Sequence, residues 1–315
     1  MHSRMSHRRA RLGAIRLLSR VFPSRFGKIG AKHFLEPRTL LRPQRWPHAF
    51  EGFQRATLEV AGEKVPLWFK GQGPTVLLVH GWESDHYAMG GFVEPLLSSG
   101  YRVATLDLPA HGLATGRQAP LPLIAQAIAA AGAACGPLHT IIAHSVGGAT
   151  SVLGMEDYGL QAERLVLIGA PQAALHQALR QGRSQGLSDP ALQSMSRQIH
   201  QALGAPLERF RTDKGLSQLR SAVLIVHAED DAVVPIEAAR HNAAACQAKT
   251  LWLETGGHNR PLGDPRVIQS VVSFLNTGRR PTRSPASLQD QTDAGPYSAR
   301  QPDELVEPVM GGASC

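Results

Sequence analysis

One serine in the chain has the neighbours that a nucleophile needs. Ser145 follows the apolar, β-branched run 140–143 and precedes Gly147 and Gly148. A buried strand that turns sharply into a helix exposes such a serine at the carboxyl end of a sheet, and the residues two before and two after it must be small. Ala143 and Gly147 meet that requirement. Because serines before glycines also cap helices, the motif alone leaves both interpretations open.

A serine hydroxyl becomes a useful nucleophile when an imidazole removes its proton and an acid holds that imidazole in the right tautomer. Two later apolar segments end in such groups. The first ends in Asp230 and Asp231, and the second ends in His258 after paired glycines. Open parallel sheets place their sites at the carboxyl ends of strands, so we expect Ser145, Asp231 and His258 to meet there. The pattern does not separate adjacent acids, and Asp230 stays the rival for the acid.

The segments around these residues alternate between strand and helix patterns. Buried strands are predicted at 75–79, 101–106, 140–143, 164–169, 222–227 and 250–253. Helices are predicted at 87–97, 121–134, 146–158, 236–245 and 265–276. Ahead of them, 57–61 and 65–69 read as an antiparallel hairpin, in which Pro66 indicates an edge strand. The alternation predicts an α/β fold with a mostly parallel sheet covered on both faces.

Residues 171–220 interrupt this alternation. One predicted helix there is amphipathic, with an apolar face made of Leu192, Met195, Ile199 and Leu203, and Leu207 and Phe210 indicate another. No strand is predicted between them. We expect this insertion to form a small helical cap over Ser145, although its polar composition does not predict the shape of a pocket.

Taken together, these segments resemble the α/β-hydrolase family over residues 55–276. The resemblance rests on separated motifs in the family's order: His80-Gly81-Trp82, Asp107-x-Pro109-x-His111-Gly112, Ala143-His144-Ser145-Val146-Gly147-Gly148, Asp231 four before Pro235, and Gly257-His258. It implies that Ser145 is the nucleophile, His258 the base and Asp231 the orienting acid. It also implies that the backbone amides of Trp82 and Val146 form the oxyanion hole.

Two positions depart from the family's pattern. Ala143 and Ala110 stand where glycine is common in the family. Both side chains are small, so we do not expect these departures to prevent activity. Among the histidines of the motifs, His80 and His144 are expected to support turns, and His111 is expected to order a loop.

The type of nucleophile narrows the reaction. Members of the family that open epoxides or displace halide carry aspartate at this turn, whereas serine implies acyl transfer through a covalent acyl-enzyme. We therefore expect a hydrolase of small-molecule carboxylic esters. Two alternatives stay open: other chemistry on the same triad, of the perhydrolase or haloperoxidase type or that of a serine peptidase, and a non-catalytic binding protein with this fold. The sequence has no phosphate-binding glycine loop, Cys/His metal cluster or dinucleotide fingerprint, so no cofactor is expected.

The first fifty residues differ from the rest in charge. They contain twelve lysine and arginine residues and one acid, Glu36, for a net charge of +11, whereas the other 265 residues carry a net charge of −3. A general nucleic-acid surface on the body is therefore not expected. Residues 1–50 are interpreted as a basic arm whose helix over 8–22 has an apolar stripe of Leu12, Ile15, Leu18 and Phe22. Such a stripe either packs on the protein's own core or makes weak contact with a membrane surface.

The remaining expectations concern domains and location. The hydrolase domain is expected to span 51–276, and 277–315, which is rich in polar residues and proline, is expected to be a disordered tail. The basic start lacks the pattern of a secretory signal, and no run approaches the ~18 apolar residues of a spanning helix. Three widely spaced cysteines, Cys135, Cys246 and Cys315, favour a reducing compartment. We therefore predict a cytoplasmic protein, peripheral at the membrane if the arm binds lipid.

Overall fold

Eight strands form one sheet in the computed structural model, which describes residues 2–38 and 46–277, without the side chains of 2–6 and 8. The strands are β1 Gln54–Val60, β2 Glu63–Lys70, β3 Thr75–Val79, β4 Arg102–Leu106, β5 Leu138–His144, β6 Ala162–Ile168, β7 Ala222–Ala228 and β8 Lys249–Leu253. Their order is β1-β2-β4-β3-β5-β6-β7-β8. The pairs β1·β2 and β2·β4 are antiparallel, and the others are parallel. The predicted α/β fold with a mostly parallel sheet is confirmed.

Helices cover both faces of this sheet. They are α1 His2–Val21, α2 Pro23–Leu35, α3 Val93–Ser98, α4 Leu121–Cys135, α5 Val146–Asp157, α6 Ala174–Ser184, α7 Asp189–Leu203, α8 Thr212–Leu216, α9 Ile236–Cys246 and α10 Pro265–Asn276. One apolar core joins the sheet to α4, α5 and α9, and a second joins its other face to α3 and α10. Strands buried on both sides explain the unbroken apolar runs of the sequence.

Two details of the predicted core elements are wrong. Strand β2 lies between β1 and β4, so Pro66 does not mark an edge. Proline is tolerated there because the backbone of Pro66 faces the chain just beyond the end of β4. At that point the carbonyl of Pro66 accepts from Asp107 N at 3.3 Å. The helix predicted at 87–97 is a 3-10 segment, His86–Phe92, followed by α3, because Gly90 and Gly91 pack closely against neighbouring residues.

The N-terminal residues form two helices instead of one. Pro23 is the first residue of α2, and Phe22 before it leaves the helical conformation with φ −119° and ψ 59°. A residue that precedes proline is disfavoured in a helix, so α1 ends there. Helix α2 was not predicted. Its buried residues Gly27 and Gly30 pack against α7, and because glycine has no side chain the two helices approach closely.

The four residues of the predicted N-terminal apolar stripe do not lie on one face, so that prediction is wrong. Leu12 and Ile15 are half-buried against the rest of the protein, whereas Leu18 and Phe22 are exposed by 47% and 55%. The buried residue on the inner side is Ser19, whose hydroxyl accepts from Ser188 N at 2.9 Å. A spacing of three and four residues from Leu12 through Ile15 leads to residue 19, so the inner face follows Ser19 instead of Leu18.

The insertion between β6 and β7 contains α6, α7 and α8. Helix α7 matches the predicted amphipathic helix, with Leu192, Met195 and Ile199 buried. Helix α6 was not predicted, and the region of Leu207 and Phe210 is a short 3-10 turn before α8. Helices α2, α6 and α7 and the turn at Leu207 contribute to a third apolar core, together with residues of α4 and α5.

Two further predictions concern the C-terminal tail and membrane-spanning helices. The tail predicted over 277–315 lies outside them after Thr277, as does Cys315. Among the helices of the part that the structure describes, none is long and apolar enough to cross a membrane.

Candidate active site

Ser145 lies in a strained turn between β5 and α5. Its backbone has φ 54° and ψ −124°, and residues other than glycine rarely adopt a positive φ. The turn is held by a hydrogen bond from Ser145 N to the carbonyl of Ile168 at 2.8 Å. A Cβ at Gly147 would lie 2.3 Å from the carbonyl oxygen of His80, so that position requires glycine. The serine hydroxyl therefore projects from the carboxyl end of the sheet, as the motif predicts.

The structure brings the three residues of the predicted triad together. The Ser145 hydroxyl lies 2.9 Å from His258 Nε2, and His258 Nδ1 lies 2.7 Å from Asp231 Oδ2. When Nδ1–H donates to the carboxylate, Nε2 is left as an acceptor for the hydroxyl proton. This arrangement has the geometry of a serine nucleophile with its base and its orienting acid.

Asp231 is held as a carboxylate by directed hydrogen bonds. Burial opposes its ionisation, but the hydrogen bond and charge of His258 and the amides of Val234 and Val233 outweigh it, so the pKa of Asp231 lies below its usual value. The two amides donate to Oδ1 at 3.0 and 2.8 Å. One oxygen thus takes the backbone amides and the other faces the imidazole. The sequence did not indicate this division.

The rival acid, Asp230, has a different position. Its side chain is exposed and accepts from the backbone amides of Gly256 and Gly257 at 2.8 and 2.6 Å. Those glycines immediately precede His258, so Asp230 holds the loop that carries the histidine. The structure places the neighbouring Asp231, and not Asp230, against the imidazole.

The two residues whose amides are predicted for the oxyanion hole belong to the segments around Ser145. Val146 is the first residue of α5, so its N–H has no acceptor within the helix. Trp82 follows Gly81, and a Cβ built on that glycine would lie 3.2 Å from the Cβ of Ser145. Trp82 and Val146 both line the cavity that contains Ser145. Two N–H groups near a reacting carbonyl are suited to stabilise negative charge on its oxygen.

Two buried histidines support this edge of the sheet. His144 Nε2 donates to the carbonyl of His258 at 3.0 Å, and Leu108 N donates to His80 Nε2 at 3.0 Å. Burial first, and then the neighbouring His258, lowers the pKa of His144 to about 3. Burial and the neighbouring His111 likewise lower the pKa of His80 to about 3. Both rings are therefore neutral at ordinary pH and serve as hydrogen-bonding supports, as the sequence indicated.

The loop after β4 is anchored by a buried carboxylate. Asp107 Oδ1 lies 2.9 Å from both the backbone N and the Nδ1 of His86, and its Oδ2 accepts from Leu113 N at 2.7 Å. His111 in this loop packs edge-on against the ring of Trp82, with centroids 5.1 Å apart. The Asp107 motif therefore supports the segment that carries the proposed oxyanion amide.

A cavity of about 1080 Å³ opens above Ser145. Helix α6 of the insertion supplies one side of it, including His176, Arg180 and Arg183. The apolar residues of its lining include Phe34, Leu121, Val146, Leu153, Ala174 and Phe210. The contribution of α6 and of Phe34, which belongs to α2, could not be read from the sequence because no motif marks either element. Residues of the insertion thus line the cavity, and a cap over Ser145 stays a prediction. Among the described residues, no group of three or more His, Cys, Asp and Glu side chains is arranged to hold a metal ion.

The chain matches the model of the alpha/beta hydrolase family over residues 76–268. It is similar to an esterase of Pyrococcus furiosus whose structure is solved, with a TM-score of 0.60 and 14% identity, over 77% of this chain and 97% of that one. At that identity the likeness shows the fold.

Two curated proteins match shorter parts of the chain. Pyrrolizixenacetamide deacetylase of Xenorhabdus hominickii is 31% identical over 116 residues, which cover 36% of this chain and 44% of that protein. A predicted carbamate hydrolase, RutD, of Pseudomonas syringae pv. syringae is 34% identical over 90 residues, which cover 28% of this chain and 33% of that protein. The chain therefore spans less than half of the length of either curated relative that it matches.

Proposed function

The chain belongs to the alpha/beta hydrolase family, and from that premise we propose that it is a serine hydrolase that cleaves carboxylic esters through an acyl-enzyme. The observation that carries the proposal is the continuous chain of hydrogen-bonding distances from Ser145 through His258 to Asp231. A fold alone does not fix a function, whereas three side chains in this order, at the mouth of a large cavity, support a specific chemistry.

In the first half of the reaction Ser145 Oγ attacks the carbonyl carbon of the ester while its proton passes to His258 Nε2. Asp231 stabilises the imidazolium that forms because its carboxylate already accepts from Nδ1. The carbonyl oxygen becomes an oxyanion, for which the amides of Trp82 and Val146 are the proposed donors. Collapse of this intermediate breaks the bond to the alcohol oxygen, which takes the proton from His258.

The second half releases the acyl group. Water attacks the acyl carbonyl as His258 Nε2 accepts one of its protons, and the same two amides again face the oxyanion. The bond from the acyl carbon to Ser145 Oγ then breaks, and His258 returns the proton to the serine oxygen. The products are a carboxylic acid and an alcohol, and Ser145, His258 and Asp231 end as they began.

The cavity supports a substrate larger than an acetyl ester. Its volume of about 1080 Å³ is at the upper end of the usual range for small-molecule sites. Leu121, Leu153 and Phe210 give one side the character that an aliphatic or aromatic acyl group prefers. Arg180 and Arg183 of α6 also line the cavity, and both are exposed to solvent.

A second candidate reaction is hydrolysis of an amide or carbamate. The two curated relatives carry the names of a deacetylase and a carbamate hydrolase, and both reactions cleave a bond to a carbonyl carbon. The same triad performs either reaction if His258 protonates a nitrogen leaving group instead of an oxygen. What separates the two candidates is the leaving group, which the residues of the triad do not select.

Hydrolysis of p-nitrophenyl esters of increasing acyl length tests the proposal, with the matching p-nitroanilides and carbamates measured in parallel. We expect esters to be cleaved fastest, with kcat/KM rising beyond acetate because longer chains fill the apolar side of the cavity. Faster cleavage of anilides or carbamates than of esters would replace the first candidate by the second.

The control for these assays is Ser145→Ala, with folding checked by circular dichroism. It should reduce turnover by about a thousandfold or more, since the hydroxyl is needed for the covalent step. A folded Ser145→Ala protein that keeps more than about a tenth of the activity would exclude both serine mechanisms.

A further inference from the structure

Exposed apolar side chains are concentrated on the N-terminal helices. Of the eight large apolar side chains that are exposed in the described part of the chain, five lie between residues 17 and 29. They are Leu17 at 67%, Leu18 at 47%, Val21 at 61%, Phe22 at 55% and Ile29 at 46% exposure. Single exposed apolar residues are normal, but a cluster of this kind on a folded protein marks a surface for interaction. We call these five residues the outer apolar face.

The positions of Leu17 and Val21 in this face follow from the helical period of α1. Ala10, Ala14, Leu17 and Val21 are spaced by four, three and four residues, so they lie along one side of the helix, and all four are exposed. Leu12, Ile15 and Ser19 have the same spacing and lie on the opposite side, which is the side that packs on the protein. Helix α1 therefore has two apolar sides, of which the protein covers one.

The packing of the inner side fixes the outer side toward solvent. The hydroxyl of Ser19 is fully buried and accepts from Ser188 N, and the inner face of α2 lies against α7 through Gly27 and Gly30. Rotating either helix to bury Leu17 or Val21 would break these contacts. The outer apolar face is thus a fixed feature of the folded described residues, and the protein's own core does not cover it.

Basic residues border the outer apolar face. Arg9, Arg16 and Arg20, spaced by seven and four residues, lie along one flank of α1, and Arg11 lies on the other. Helix α2 adds exposed Arg25, Lys28 and Lys32, and Lys32 Nζ lies 3.6 Å from Glu36 Oε2 just after the helix. Neither helix contains an acidic residue. An apolar strip bordered by positive charge is the pattern of helices that lie in the interface of a negatively charged membrane.

We propose that the outer apolar face of α1 and α2 binds the surface of an anionic lipid bilayer. The apolar side chains would enter the boundary between headgroups and acyl chains, and the flanking arginines and lysines would face lipid phosphates. A second copy of the chain fits this surface less well. In a two-fold symmetric pair the same patch meets itself, and the positive charge of both helices would then be opposed by an identical charge.

The position of this face relates it to the site. Phe34, near the end of α2, lines the cavity above Ser145, and α2 packs on α7 of the insertion. The helix pair that faces the lipid therefore also contributes to the cavity wall. If the proposed ester hydrolysis is correct, this arrangement favours ester substrates that partition into membranes. The lipid binding itself does not depend on catalysis.

Co-sedimentation of the full chain with vesicles tests the proposal. Vesicles of phosphatidylcholine alone are compared with vesicles of phosphatidylcholine and phosphatidylglycerol, each at low and high salt. We expect binding to the anionic vesicles, little binding to the neutral ones, and weaker binding in high salt because screening shortens the reach of the charges. Equal binding to both kinds of vesicle, or none to either, would overturn it.

A paired substitution tests the apolar part. Leu17→Gln together with Val21→Gln keeps good helix formers on an exposed surface and should weaken binding by about tenfold or more. The matched control is Leu113→Gln, a leucine in a loop of the hydrolase domain that is 61% exposed, as Val21 is. Binding should be unchanged in the control. Equal binding by the paired variant and the control would contradict the proposal.

Charge is tested separately by replacing Arg9, Arg16 and Arg20 with glutamine. This variant should bind anionic vesicles about tenfold or more weakly and lose most of the salt dependence. Its control replaces three exposed arginines elsewhere, Arg117, Arg220 and Arg240, in the same way. Circular dichroism and sedimentation without vesicles accompany both sets. If the variants change self-association and leave vesicle binding intact, the occupant of the face is a second copy and the lipid proposal is wrong.

Discussion

The carboxyl edge of the sheet and the N-terminal helix pair are held in place by different interactions. At the sheet edge, Ser145, Asp231 and the His258 loop each rest on directed hydrogen bonds, many of them from backbone amides. The helix pair is held mainly by the close packing of small residues of α2 against α7, and by the hydrogen bond from Ser188 N to the hydroxyl of Ser19. Directed bonds fix atoms to within a fraction of an ångström, which chemistry needs, whereas packing fixes the orientation of a surface.

This difference also determines how each region responds to substitution. Where one carboxylate oxygen faces one imidazole, we expect replacement of a single atom to remove the proposed activity and leave the fold intact. Where two helices pack through glycines, adding a single methyl group changes the stability and leaves the chemistry.

The largest effect is expected at the acid. Asp231→Asn should lower kcat by roughly 10³ to 10⁴, because an amide cannot stabilise the imidazolium and favours the wrong tautomer of His258. Steady-state hydrolysis of a p-nitrophenyl ester measures this. Asp230→Asn is the matched control, and since its amide oxygen can still accept from Gly256 and Gly257, we expect a loss of about tenfold at most. A greater loss in Asp230→Asn than in Asp231→Asn would reverse the assignment.

Acid should lower the free energy of unfolding through buried histidines at the sheet edge, and not through the helix pair. The pKa of His80 and of His144 is lowered to about 3 in the folded protein, from an ordinary value of 6.5. Below pH 6.5 the unfolded chain binds protons that these buried rings do not, so their contribution is complete above that pH and is lost as the pH falls toward 3. Each should cost about 2 kcal/mol between pH 7 and pH 5.

Urea unfolding at the two pH values measures this loss. His144→Gln keeps a donor for the carbonyl of His258 and removes one titrating ring, so its stability should depend less steeply on pH than that of the wild type. No histidine of α1 or α2 whose side chain is described is buried, so we expect no such pH-dependent loss of stability from the helix pair. An unfolding free energy that is the same at pH 7 and pH 5 would show that the two rings are not buried and neutral.

The smallest effect is expected in the helix pair. A Cβ added by Gly27→Ala would lie 2.5 Å from Ser194 Oγ and 2.8 Å from the backbone N of Met195, so α2 must move away from α7. We expect a loss of about 1 to 3 kcal/mol in the free energy of unfolding. Gly13→Ala in α1 is the control, because nothing lies within 4 Å of its Cβ, and it should stabilise by up to about 1 kcal/mol. Equal stability of both variants would mean that α2 does not pack on α7 as described.

The same contrast explains how much of the molecule the sequence predicts. The strands around the site are predicted well because they are buried on both faces and end in recognisable turns. Strand β5 extends to Leu138 and His144, beyond the predicted 140–143, because pairing with its neighbours includes polar residues that the apolar pattern leaves out. The roles of Ser145, His258 and Asp231 stay predictions, and their proximity is what the structure adds.

The helices that pack through small residues are predicted poorly. Helix α2 contains Gly27 and Gly30, which lower helix propensity when the sequence is considered alone. Contacts with Ser194 and Met195 compensate for that cost, and these residues are distant in sequence. The apolar stripe of α1 was misassigned for a related reason. Its inner face includes Ser19, a polar residue whose burial depends on a partner in the loop before α7.

The most direct test of the central proposal is labelling with a fluorophosphonate, which reacts with a serine only when a base activates it. Intact-mass measurement followed by peptide mapping should find one adduct, on Ser145. The adduct should be absent from Ser145→Ala and form far more slowly in folded His258→Ala, because the base is then missing. A folded wild-type protein that takes no label, or takes it at another residue and leaves Ser145 free, would contradict the assignment of Ser145 as an activated nucleophile.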